Sequence, residues 1–306
     1  MRRSGVRISS QAPLLDSYRA SDPLHPPHFG WVVVPVLTSD TWKGCPESMG
    51  PQGEMGYALV GSRGEVFAFG AVSPQWSGPV VDESAGVVGL VITPGGRGCW
   101  LATADGNIVC RGDVPALGSP RESGQRGDPV SIAALPGGGG YYVAHGSGAV
   151  QAFGAATSFG MVQTHDLNQP ISDMAVSPSG DGYWLVSGEG GVYCFGGAHY
   201  CGGAAGTPLP SPVVAIAATP SGQGYWLATR QGDVMAFGDA INFGCLADVG
   251  IDGPVVALRA SSSVFGYWMA TAAGVVRAFG DTYFLGSAPP VHQLGPMSGL
   301  AALVPG

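Results

Sequence analysis

Glycines at positions 56, 98, 140, 182, 224 and 266 open six versions of one segment, each 42 residues after the last. The clearest copy is Gly224–Asp239, GYWLATRQGDVMAFGD; others are GYALVGSRGEVFAFG from Gly56 and GYWLVSGEGGVYCFG from Gly182. A period of this size without slippage marks a repeat architecture. Each copy holds two short apolar runs, Tyr225–Thr229 and Val234–Gly238 in the fifth, joined by a polar turn around a glycine. That pattern predicts a β-hairpin. An apolar segment such as Val213–Thr219 precedes the hairpin, and a short segment such as Ile241–Gly244 follows it. The order is strand a, turn, strand b, turn, strand c, tight turn, strand d, then a loop. Four strands in about 42 residues match one blade of a β-propeller.

The hydrophobic pattern selects the same architecture. In strand b, Tyr225, Leu227 and Thr229 face one way while Trp226 and Ala228 face the other. Both sets are mostly apolar, whereas a half-exposed antiparallel sheet alternates apolar with polar. Both faces must therefore be covered, and no helical pattern is present to cover them. Small sheets wedged between like sheets around an axis satisfy that demand. Closure is expected from the chain ends. The stretch Pro46–Gln52, 42 residues before the second strand a, is not a strand; Leu300 continues the phase at the far end in SGLAALVPG with no hairpin after it. The orphan C-terminal strand is expected to pair with the first hairpin, closing a six-bladed all-β propeller and removing free edges. The rival is that Trp31–Thr38 fills the vacancy.

Residues 53–306 form the expected propeller domain, and 1–52 an N-terminal extension, partly unstructured. The extension is polar at first, with Pro13, Pro23, Pro26 and Pro27, and shows no apolar stretch of signal-peptide type. Gly5-Val6-Arg7-Ile8 is encodable by a sequence containing the T-arm consensus of a transfer-RNA gene. The expectation is that true translation starts downstream, which peptides covering Arg3–Leu15 would refute.

The repeat consensus, GYWLAT followed by AFGDA, with PVVAIAATPSG before the next GYW, resembles a repeat found in actinobacterial exported and cell-surface proteins. The likeness covers Gly56–Gly306 and is strongest in repeats four to six; Ala58 replaces Trp and Arg111 replaces Phe in the first two. It implies a propeller outside the cell and carries no catalytic residues to transfer.

Net charge is −8 and the pI about 5.0, against the basic footprint of a nucleic-acid binder. No apolar run reaches the ~18 residues of a membrane-spanning helix. The six cysteines form no CxxC pair, so zinc is not expected. Cys110 and Cys194 replace a repeated alanine and read as small buried residues, while Cys201 and Cys245 lie in neighbouring repeats where a disulfide could form. The histidines His25, His28, His145, His165, His199 and His292 fall at different repeat positions. No nucleophile elbow, phosphate loop or metalloprotease motif occurs. Arg111-Gly112-Asp113 spells RGD only because Arg111 interrupts the recurring FGD.

No catalytic residue, metal or cofactor is expected. The b–c turns are the candidates for recognition, because a rigid frame presents loops that vary from blade to blade. Their residues are Arg63, Asp105 with Asn107, Glu189, and Arg230 with Asp233. The expected function is a non-catalytic, monomeric binding or scaffold module at the cell surface, for a glycan or a protein. Two alternatives stay open: a glycan hydrolase or lyase using Asp105, Glu189 and Asp233, and a structural component of a larger assembly.

Overall fold

The computed structural model describes residues 55–72, 86–124, 127–250, 252–263, 265–289 and 295–303, all within the compact unit Val34–Gly306. The N-terminal extension, Trp31–Thr38, Cys45 and Pro46–Gln52 lie outside the described residues.

Six three-stranded antiparallel sheets make a multi-bladed, propeller-like all-β array. The first a strand in chain order is β3 (Val87–Ile92), followed by β6 (Pro129–Ala134), β9 (Ile171–Val176), β12 (Val213–Ala218), β15 (Val255–Ala260) and β18 (Met297–Ala302). The b strands are β1 (Gly56–Gly61), β4 (Gly98–Thr103), β7 (Gly140–His145), β10 (Gly182–Ser187), β13 (Gly224–Thr229) and β16 (Gly266–Thr271). The c strands are β2 (Val66–Gly70), β5 (Ile108–Gly112), β8 (Val150–Gly154), β11 (Val192–Gly196), β14 (Val234–Gly238) and β17 (Val276–Gly280). Sheets are numbered here by their hairpins. The strand completing sheet 1 is β18, which pairs with β1 through Leu59 opposite Leu300. The inner a strands lie against one another in the succession β3, β6, β9, β12, β15, β18, and β18 also lies against β3.

Every residue of every b strand is buried. This is what the doubly apolar pattern demanded: each sheet is covered on both faces by its neighbours. The b–c turns close on Gly64, Gly106, Gly148, Gly190, Gly232 and Gly274, all at φ between 82 and 96°, a region where a Cβ is costly.

The fourth segment of each repeat differs from the sequence expectation. No ladder forms along the d segments among the described residues, and Ile241–Gly244 is not a strand. Aromatic side chains claim their backbone groups instead. Within a repeat the indole donates 15 residues downstream, as from Trp226 to the Ile241 carbonyl at 2.7 Å and from Trp184 to His199 at 2.8 Å. Across a junction the tyrosine of the next b strand donates to a d-segment glycine carbonyl. Tyr141 bonds Gly118, Tyr183 Gly160, Tyr225 Gly202, Tyr267 Gly244 and Tyr57 Gly286. Glycine is needed there because the next Phe ring lies flat on it: a Cβ at Gly202 would come 2.7 Å from Phe237.

Five junctions share this quartet of indole or phenol, tyrosine, phenylalanine and glycine. Ring pairs such as Trp226–Tyr267 and Tyr267–Phe279, both at 5.5 Å, link them, in tilted geometries that aromatic pairs favour. Between sheets 1 and 2 all four positions change, to Ala58, Cys99, Arg111 and Trp76. There an aliphatic cluster takes over, including Val60, Leu90, Ile92, Cys99 and Leu303.

Cys201 and Cys245 are both free, not disulfide-bonded. The Cys201 thiol points at the Gln223 carbonyl and that of Cys245 at Asp248. Cys110 and Cys194 are half-buried, with their thiol pKa pushed up by burial.

Candidate functional site

Antiparallel pairing separates the turns onto two faces. The b–c turns and d–a loops share one, and the structure ties them together. Each b–c turn donates a backbone N–H to the loop before it: Ser62 to Pro296, Gly146 to Asp128, Gly188 to Pro170, Arg230 to Pro212 and Ala272 to Pro254. In sheet 2 the corresponding bond runs from Ala104 to Gly86. The turn backbones are thus held alike while their side chains differ.

The six sequence-predicted residues all lie on this face, on turns of four different sheets. Arg63 and Arg230 are exposed. Asp105 accepts bonds from the Thr103 hydroxyl at 2.6 Å, the Asn107 amide at 2.9 Å and Arg121 at 2.5 Å. The Thr103 bond leads in holding its carboxyl below the usual carboxylate range. Asp233 accepts from Thr229, and Glu189 from Asn168 in the preceding loop. The three acids of the hydrolase alternative therefore sit on turns of sheets 2, 4 and 5, each satisfied locally. Among the described residues, no bond joins one to another and no group of three or more His, Cys, Asp or Glu could hold a metal ion.

The opposite face carries the a–b turns. Here Asp239 accepts from Thr219 and Ser221, and Asp281 from Ser263. In repeat four Gly197 occupies the Asp239 position, and Asp181 accepts from Ser177 and Ser179 instead. The Ser179 and Ser177 hydroxyls hold its carboxyl low. Asp239 and Asp281 fasten the c–d turn to the a–b turn, whereas Asp181 secures the a–b turn alone.

Between the a strands a cavity of about 380 Å³ runs out to this second face. Its wall comes from all six sheets, from Leu90, Ile132, Met174 and Ile216 outward to Pro94, Pro136, Pro178 and Pro220. None of the six predicted residues lines it. Arg259 is the one charged residue in this wall among the described residues.

Two charged residues that motif reading missed meet at the inner end. Asp173 on β9 is 4% exposed. It accepts from Ser131 on β6 at 2.6 Å and from the Ile216 N–H on β12 at 3.1 Å. Arg259 on β15 completes the set at 3.5 Å. One carboxylate thus bridges sheets 3, 4, 5 and 6. A repeated bulge aims it: in every sheet the residue after the first of strand a, Ser172 in β9, is skipped in the pairing. Bulges redirect the next side chain in this way. The equivalent positions hold Gly89, Ser131, Ala215, Ala257 and Gly299. They are small because strands converge: a Cβ on Gly299 would stand 3.5 Å from the Gly89 Cα. Arg259 likewise replaces Val91, Ala133, Ala175, Ala217 and Ala301. Aligning the repeats column by column exposes both departures; motif searches do not.

The fold, as distinct from these residues, is shared with a solved structure. A chain of a nidogen/laminin complex superposes with a TM-score of 0.60 at 8% identity, covering 82% of this chain and 98% of that one. The fold is shared. A Myceliophthora thermophila Cps50 (Swd1) β-propeller domain aligns with a TM-score of 0.46 at 15% identity, over 70% of each chain. No protein-family model and no curated protein matches this sequence.

Proposed function

We propose that this protein is a non-catalytic binding or scaffold module, built as a closed six-bladed ring. It recognises a glycan or protein through its b–c turns and d–a loops. Ring closure is supported by the β18–β1 pairing and by the Tyr57 bond back to Gly286 in the last repeat. In this reading the d segments, tied by indole and phenol bonds, take the outer place that a fourth strand fills in a blade.

The observation that carries the binding role is the recurring backbone bond behind each b–c turn. It fixes six turn backbones alike, leaving Arg63, Asp105, Asn107, Glu189, Arg230 and Asp233 to give four of the blades different tips. A rigid frame with variable tips loses little entropy on binding and suits one asymmetric partner. The repeat resemblance supports placement at the cell exterior, and the protein acts as a monomer. A glycan array, with affinity capture from cell-wall and culture extracts, tests this. A partner retained by the protein and lost on the combined change R63A, E189A and R230A is expected. Capture that the triple variant leaves intact would place recognition elsewhere.

A further inference from the structure

The central cavity has the chemistry of a second, separate site. We propose that it takes a small amphiphilic acid: an aliphatic or aromatic body ending in a carboxylate, whose head pairs with Arg259.

Apart from Arg259, Thr219, Ser261 and Ser262 the wall is built from Leu, Ile, Val, Met, Ala and Pro, and its volume lies in the ~300–1,000 Å³ range of small-molecule sites. An apolar body is what such a wall receives. Into it the fold introduces one cation, on an a strand whose equivalents carry alanine or valine. A guanidinium beside apolar walls is costly unless its donors are satisfied. Arg259 is only partly satisfied. Its Nη1 reaches Asp173 at 3.5 Å and its own Leu258 carbonyl at 2.7 Å. Nη2 and Nε make no hydrogen bond with the described residues.

Asp173 explains why the cation stays there. With Ser131 and the Ile216 amide at shorter range, its carboxylate is anchored independently of Arg259. The guanidinium hangs from it at the limit of an ion pair. Asp173 is therefore a positioning residue: it holds one edge of the fork inward and leaves the other for a ligand. A guanidinium matches a carboxylate by paired, charge-assisted bonds. An anionic head is favoured: a neutral oxygen can accept from those donors but only a carboxylate adds the charge, and a cationic head repels them. Ser262, on the turn after β15 and also in the wall, is exposed near the mouth, while the Ser261 hydroxyl is taken by Ser263.

Isothermal titration calorimetry on the full chain tests this with decanoate, 3-phenylpropionate, decan-1-ol and decylamine. The acids are expected to bind at least tenfold more tightly than the alcohol, and the amine not at all. R259Q is expected to weaken decanoate at least tenfold while leaving decan-1-ol unchanged. A134W, which fills the cavity from β6, is expected to abolish binding of both. Should R259Q lose its fold, the acid-to-alcohol ratio in the unmodified protein and the A134W result still decide. Equal affinity for acid and alcohol overturns the proposal, as does unchanged decanoate binding in A134W or in folded R259Q. Binding of an apolar peptide in preference to every small acid also overturns it. Turn-face capture is read on other residues, so either site can fail alone.

Discussion

Removing one oxygen, in Tyr225→Phe, tests how the sheets are joined. The phenol donates to the Gly202 carbonyl at 2.5 Å and accepts from the Cys201 N–H at 3.1 Å. The ring itself is fully buried between Trp184 and Phe237. Phenylalanine keeps the ring and its contacts, so no cavity opens. What is lost is two hydrogen bonds, at about 1 kcal/mol each, with both backbone partners left in a half-dry junction. The expected cost is about 2 kcal/mol, or a fall of about 4–8 °C in Tm for an array of this size. Tyr200→Phe is the control, since Tyr200 is 66% exposed and its change should stay within ~0.5 kcal/mol. Paired urea and thermal unfolding, followed by tryptophan fluorescence and far-UV circular dichroism, measure both. Coincident midpoints for the two variants would mean that the d segments are held by something other than these phenols.

Gly202→Ala should destabilise by about 1–3 kcal/mol, because its Cβ would strike the Phe237 ring at a backbone φ of 126°; Gly206→Ala, with open space around it, pays only the strain of its positive φ and is the comparison in chemical denaturation. Asp173→Ala removes the anchor of a bridge between four sheets and strands Arg259, with an expected loss of about 3 kcal/mol. The double variant D173A/R259A should recover part of that loss in a double-mutant cycle, and strict additivity would deny the coupling. Alkaline unfolding should be steep. Burial raises the phenols of Tyr57, Tyr141, Tyr183, Tyr225 and Tyr267, Tyr57 to about 12. The folded protein keeps these protons after the unfolded chain begins to release its own near pH ~10. Stability is then complete below that pH and lost as pH rises through the folded values. Urea midpoints measured from pH 8 to 12 should bend downward above ~10, and less so in Tyr57→Phe.

The sheets were legible in the sequence because their cause is local. A b strand apolar on both faces, a glycine at the turn and a fixed period require covered hairpins, and Gly224–Thr229 is buried throughout as that logic demands. The pairing of the last strand with the first hairpin was legible too, from the phase of Leu300. The d segments were not. Whether a short run such as Ile241–Gly244 forms a ladder depends on what else takes its carbonyls, and Trp226 and Tyr267 are distant in sequence. The Asp173–Arg259 bridge was hidden for a similar reason: its members lie two repeats apart and share no motif. The turn residues were visible as variable charges, and the structure shows how Asp105 and Asp233 also secure their own turns.

The junction between sheets 1 and 2 behaves differently from the other five. Among the described residues it rests on an aliphatic cluster in place of the phenol-to-glycine lock. Non-directional packing there replaces the directional bonds that join the other sheets. Cys99 is sealed inside that cluster, so the rate at which a thiol reagent reaches it reports how often this seam opens.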